Sequence, residues 1–220
     1  MVLINQQQEA PTISYGQMNM QNDFRTLMTQ LAFLSRSYIA AVAANFGNAA
    51  AIANRLYNLP VSFIEKAELI FGPSSTEELL HLLQMHVIYL TTLVNAMKQG
   101  DKQTVDENTA LLYKNADDIS AYYAKINPFW DVTQWRNLLY TYIGLTIQEA
   151  VALMSGDYEK DLDIFDRLLY HALFMGDYLA SGIIQYLTVT TRNPGSKKHV
   201  GNHWERRLPV NFMKVPCPEG

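Results

Sequence analysis

Apolar and small residues recur at alternating steps of three and four in the last long amphipathic stretch, residues 157–189. They are Leu162, Phe165, Leu169, Ala172, Gly176, Leu179, Ile183 and Leu187. This spacing predicts one stripe along a helix, at a repeat close to that of a bundle seam. Such a helix is roughly 45 Å long, so other helices must cover its stripe. Gly176 lies mid-stripe, where a small residue lets a neighbouring helix come close.

The same periodicity predicts four more long helices and two short ones. The long helices begin at Asn22 or Asp23, at a capping box of Ser74 or Ser75, and at residues 101 and 131. Because proline and the residue before it disfavour helix, the stretch around Pro60 divides into short helices at residues 48–58 and 61–71. A turn at residues 126–130 carries Phe129 and Trp130 as an apolar plug. No segment alternates with period two, so the prediction is an all-α antiparallel helical bundle with two short inserted helices.

Both ends differ from this bundle domain, which is assigned to residues 22–189. Residues 1–21 are polar and Gln-rich, typical of an N-terminal arm. Residues 190–220 contain four prolines yet keep large apolar side chains, so they are interpreted as an extended, basic docking arm. The partner-binding residues expected there are Trp204, Arg206, Arg207, Leu208, Val210, Phe212 and Val215.

The charge distribution supports a docking role for this arm. Residues 22–189 carry 11 basic and 18 acidic side chains, whereas residues 190–220 carry six basic and two acidic ones. A basic arm on an acidic body favours docking on its own or a neighbouring subunit, and a homo-oligomer is the expected assembly. A solvated tail with incidental charge is the alternative.

Composition narrows the function classes. Cys217 is the single cysteine, so no intrachain disulfide can form, and a reducing, cytoplasmic or other intracellular setting is expected. No signal peptide is expected, because the first residues lack a positively charged segment followed by an apolar run. No membrane span is expected, because no run of 18 apolar residues occurs in the sequence. No nucleic-acid partner is expected, because the sequence contains no recognisable nucleic-acid-binding module. Gly-rich phosphate loops and Gly-x-Ser-x-Gly elbows are also missing from the sequence.

Three residues are candidates for a core site. His86 and His171 lie on or beside apolar helix faces, and Asp177 lies one and a half turns after His171. They predict, as an alternative function, a site for a transition metal or small ligand. The simpler interpretation is that both histidines lie in the core or at its edge and form hydrogen bonds within the protein, without binding a ligand. A di-iron site is disfavoured because Glu78 and His81 form one Glu-x-x-His pair and no second pair exists.

Several short motifs carry a family resemblance. They are residues 93–96 (Leu-Val-Asn-Ala), 100–101 (Gly-Asp), 115–117 (Asn-Ala-Asp), 126–128 with Trp130, 164–166 (Ile-Phe-Asp), 171–172, 177–178 and 182–183. Over residues 22–187 the chain resembles an uncharacterised all-helical family common in Gram-positive bacteria. Members are often labelled acetylglutamate kinase, but the sequence has nothing of the Gly-rich α/β fold of amino-acid kinases, so that activity is not expected here.

The resemblance also bears on the candidate site. It implies further histidines at the positions of Leu31 and Tyr142, whereas His86 and His171 match the family pattern. Part of any family site would therefore be lost in this chain. The expected function is a non-enzymatic structural or protein-interaction bundle that assembles through its arms, with no cofactor.

Overall fold

Residues 13–192 fold into a bundle of six α-helices. The computed structural model describes residues 13–192, with side chains to residue 190. The helices are α1 (Tyr15–Ala43), α2 (Ala49–Phe71), α3 (Glu77–Gln99), α4 (Lys102–Ile126), α5 (Val132–Ser155) and α6 (Tyr158–Arg192), with a 3-10 turn at Pro73–Ser75. No strand occurs within these residues, so the all-α prediction is confirmed.

The helices pack as antiparallel neighbours. Gly100 and Gly156 end α3 and α5 in the left-handed conformation, with φ of 71° and 77°, and this sharp turn reverses the chain into the next helix. Asp101 and Asp131 cap α4 and α5 by accepting from the backbone N–H three residues later. Helix α6 packs against both α1 and α5. Most of its predicted stripe is buried between Phe165 and Ile183, but Leu162 is 56% exposed, so the stripe does not reach that residue.

Helix α2 corrects one prediction. Residues 48–58 and 61–71 are not two short helices, because α2 runs through Pro60 without interruption. Pro60 costs the helix about 3 kcal/mol through a lost hydrogen bond and a steric clash. Apolar residues on both sides of it are buried. Each of the four large ones contributes about 1.5–3 kcal/mol, and together they outweigh that cost. The buried residues are Leu56, Leu59, Phe63, Ile64 and Ala67.

Two predicted helix starts are also wrong. Helix α1 begins at Tyr15, seven residues before Asn22, because Ser14 and Gln17 form a capping box. Residues 15–21 of the predicted N-terminal arm therefore belong to the bundle. Helix α3 follows Thr76, whose hydroxyl donates back to carbonyls of the preceding turn, and not a capping box at Ser74 or Ser75. The predicted C-terminal arm also begins too early, because residues 190–192 belong to α6. Arm residues 1–12 and 193–220 lie outside the described part of the chain.

Within residues 13–192, two segments are long and apolar enough to cross a membrane by length and composition alone. They are Pro73–Gln99 and Val132–Ser155, whose most apolar windows are 33% and 56% buried inside the bundle. Core helices of helical bundles meet the same criterion, so this observation carries little weight.

Candidate functional site

A cavity of about 80 Å³ lies between the helices, and all six contribute to its wall. Most of the wall is aliphatic or aromatic, from Leu31 of α1 and Phe63 of α2 to Met175 of α6. The long apolar stripes of these helices bring such side chains inward because burial removes them from water. The polar groups at the wall come mainly from His86 of α3 and from Trp135 and Tyr142 of α5.

His86 is held as a neutral imidazole with a defined tautomer. Its Nδ1 lies 2.8 Å from Asn115 Oδ1, and Asn115 Nδ2 donates to the carbonyl of Leu82 at 3.0 Å. The amide orientation makes Oδ1 an acceptor, so Nδ1 of His86 carries the proton and Nε2 is left as an acceptor. Burial lowers the pKa of His86 below its ordinary value, which keeps the ring uncharged at neutral pH.

Two other polar groups at the wall lack hydrogen-bond partners among the described residues. Trp135 Nε1 is a buried donor without an acceptor. The Tyr142 hydroxyl lies beside Ser35 and Thr146 but meets no hydrogen-bond geometry, and burial raises the pKa of this phenol. A further space of about 10 Å³ lies between His86 and Tyr142. The cavity is thus lined mainly by apolar side chains, and the lining residues that also carry a polar group are His86, Tyr123, Trp135 and Tyr142.

The other two predicted site residues have separate partners. His171 Nε2 donates to the carbonyl of Leu138 at 2.7 Å, and burial lowers the pKa of this histidine. Asp177 pairs with Arg25 at 2.6 Å and 2.8 Å and accepts from Gln21. Of His86, His171 and Asp177, only His86 lines the cavity.

No metal cluster forms from these residues. Across residues 13–190, no three His, Cys, Asp or Glu side chains are grouped so as to hold a metal ion. Leu31 and Tyr142, the positions at which the family resemblance implies histidines, both line the same cavity as His86. Leu31 contributes methyl groups to the lining and Tyr142 contributes a phenol ring.

A second polar site, which the sequence did not predict, lies between α1, α5 and α6. Glu149 and Asp161 are 0% and 1% exposed. The Arg36 guanidinium donates to Asp161 Oδ2, and its Nε lies 3.5 Å from Glu149 Oε1. It also stacks over the ring of Phe165 at 5.0 Å. The sequence does contain one indication of a buried charge here, because Glu149 is the only charged residue between Arg136 and Asp157 in a mainly apolar helix.

The partner-binding residues expected in the C-terminal arm, from Trp204 to Val215, lie outside the described residues. No family model, curated protein or solved structure matches the chain. The Gram-positive family resemblance therefore stays a prediction.

Proposed function

We propose that this chain is a non-enzymatic binding protein that holds one small, largely apolar molecule among its six helices. The observation that carries the proposal is the cavity between the helices, whose lining is mainly apolar and includes His86 and Trp135. Small-molecule sites have this character, because apolar walls supply affinity and a few polar groups orient the ligand.

The volume of the cavity limits the size of the ligand. A dry apolar cavity of about 150 Å³ is large enough for benzene, and this one measures about 80 Å³. Met28 and Met175 line it, and methionine adapts its shape at low cost because it is unbranched and flexible. A single-ring or short-chain molecule fits after these two side chains shift.

The polar groups of His86 and Trp135 limit which functional groups the ligand can carry. The acceptor at His86 Nε2 favours a ligand with one O–H or N–H, because an apolar ligand would leave its lone pair unsatisfied. The indole N–H of Trp135 favours an oxygen on the same ligand. Phenol combines both features on one ring, so it is the probe of choice, and benzene is its apolar counterpart.

Ligand-induced stabilisation tests the proposal. Thermal unfolding is measured with phenol, with benzene and without ligand, in the wild type and in Leu139→Phe, which adds volume at the cavity wall. Leu145→Phe is the matched control, because Leu145 is buried on the same helix but does not line the cavity.

Phenol is expected to raise the melting temperature more than benzene, and a ligand at 100 times its Kd adds about 2.7 kcal/mol of stability. The shift should vanish in Leu139→Phe and persist in Leu145→Phe. No phenol-dependent shift in the wild type, or equal shifts in both variants, would contradict the proposal.

A second candidate function is assembly with another copy of the chain through residues 193–220. Its support is the contrast between the acidic body and a basic segment that contains Trp204, Leu208 and Phe212. Burying each such apolar side chain is worth about 1.5–3 kcal/mol. Assembly and ligand binding are compatible, because they use different parts of the chain.

Native mass tests this second function. Removal of residues 193–220 should leave a folded helical body of lower native mass. A full-length variant with Trp204→Ser and Phe212→Ser separates apolar docking from charge, since it keeps Arg206 and Arg207. An unchanged native mass in both variants would refute assembly through this segment.

A further inference from the structure

The buried cluster of Arg36, Glu149 and Asp161 contains more hydrogen-bonding groups than it pairs. The atoms without a hydrogen-bond partner in the described part of the chain are Glu149 Oε1 and Oε2, Asp161 Oδ1, Arg36 Nε, Ser35 Oγ and the Tyr142 hydroxyl. Ser35 and Tyr142 are themselves buried, and the Tyr142 hydroxyl lies close to both Ser35 and the charge of Glu149. Buried polar atoms are seldom left unpaired, so the protonation state of these groups decides which hydrogen bonds the cluster can form.

The charges of Glu149, Asp161 and Arg36 do not balance when both carboxylates are ionised. Two ionised carboxylates against one guanidinium leave one net negative charge in a buried site. An uncompensated buried charge is among the most costly features a fold can have. One added positive charge neutralises the cluster, and a divalent ion would exceed that and be repelled by the Arg36 guanidinium, which already contacts both carboxylates.

Hydrogen bonding favours a proton over a monovalent metal ion. A protonated Glu149 becomes an O–H donor as well as an acceptor, and Asp161 and Tyr142 are near enough to interact with its charge. A proton also needs no cavity of its own, whereas a metal ion does.

We propose that Glu149 and Asp161 form a proton-binding site, which carries one proton on Glu149 in the folded protein at neutral pH. Burial and the adjacent charge of Asp161 raise the pKa of Glu149 to about 8, because together they outweigh Arg36. Arg36 faces Glu149 from α1 and Asp161 faces it from α6, while Tyr142 lies on α5 itself.

The site makes the α1–α5–α6 contact sensitive to pH. An unfolded chain releases this proton near the ordinary pKa of a glutamate, whereas the folded chain holds it to about pH 8. The resulting stability is complete below the unfolded pKa and is lost as pH rises through the folded pKa. Tyr142 also lines the ligand cavity, so the proton site adjoins that cavity through one side chain.

Infrared spectroscopy tests the proposal on the intact chain. The protein is titrated from pH 6 to pH 10, and the C=O stretching band of a protonated carboxylic acid is followed. Glu149→Gln removes the proton-binding group but keeps its shape and donates from an amide in its place, so it should fold. Glu65→Gln, at an exposed glutamate, is the matched control.

We expect the wild type and Glu65→Gln to show one such band that disappears with a midpoint near pH 8, and Glu149→Gln to lack it. No band at pH 7 in the folded wild type overturns the proposal, as does a band that survives in Glu149→Gln. One sodium, potassium or manganese ion per chain in elemental analysis, together with no band, assigns the site to a metal ion instead and also overturns it.

Discussion

Gly176 of α6 lies directly against the backbone of α1 at Arg25. A Cβ at position 176 would stand 2.9 Å from both the Cα and the N of Arg25. Backbone atoms in a packed helix cannot move aside as a side chain can, so only glycine permits this approach. The salt bridge between Arg25 and Asp177, at 2.6 Å, lies at the same contact.

The first prediction contrasts two helical glycines. Gly176→Ala should destabilise the protein by about 1–3 kcal/mol, because the added methyl overpacks the seam. Gly144→Ala should stabilise it by about 0.5–1 kcal/mol, since alanine favours helix and the Cβ would meet only Tyr113 at 3.8 Å. Urea unfolding measures both. Equal effects of the two substitutions would mean that α1 and α6 do not touch at Gly176.

The second prediction concerns the plug after α4. Phe129 and Trp130 are buried as expected, and the Trp130 indole covers Gly182, where a Cβ would lie 2.0 Å from Nε1. Trp130→Ala should lower the free energy of unfolding by about 3–5 kcal/mol. Trp130→Phe should lower it less, because a phenyl ring can still contact Tyr123, whose ring centroid lies 5.1 Å from that of Trp130 in the wild type. Chemical denaturation gives both values. An unchanged midpoint in Trp130→Ala would show an exposed indole.

The third prediction concerns how His171 makes the stability of the protein depend on acidic pH. Burial lowers the pKa of His171 in the folded protein, so the unfolded chain binds more protons below about pH 6.5. Its contribution to stability is present above the unfolded pKa and is lost as pH falls, by at most about 1.4 kcal/mol per pH unit.

His171→Gln checks this, because an amide N–H can replace the donor to Leu138. The variant should lose less stability than the wild type between pH 6.5 and pH 5, in unfolding curves recorded at each pH. Parallel curves for the two proteins would show that His171 titrates normally. Glu149 acts in the opposite direction, so the comparison is best repeated in Glu149→Gln.

Local signals accounted for most of the fold. Gly100 and Gly156 mark helix ends because glycine adopts the left-handed conformation readily. Asp101 and Asp131 mark helix starts because their side chains cap the first backbone N–H groups. Pro60 misled the prediction because its local cost is smaller than the tertiary burial of α2. A sequence shows the first quantity directly and the second only after the helices are placed.

The candidate sites were harder to predict. His86 was recognisable as a histidine on an apolar face, but a cavity is a space that no residue encodes alone. Asp161 lies in the first turn of α6, where an acidic side chain is favoured without any buried partner. Its pairing with Arg36 joins residues 125 positions apart, and no local spacing signals such a contact.

Xenon binding tests the ligand cavity most directly, because xenon enters apolar cavities and scatters X-rays strongly. Crystals of the full chain are pressurised with xenon, and the wild type is compared with Leu139→Phe. We expect one xenon atom bounded by Leu31, Phe63 and Met175 in the wild type, and none there in the variant. Wild-type density without xenon at this position, or with xenon bound equally in Leu139→Phe, would contradict the binding function proposed for this bundle.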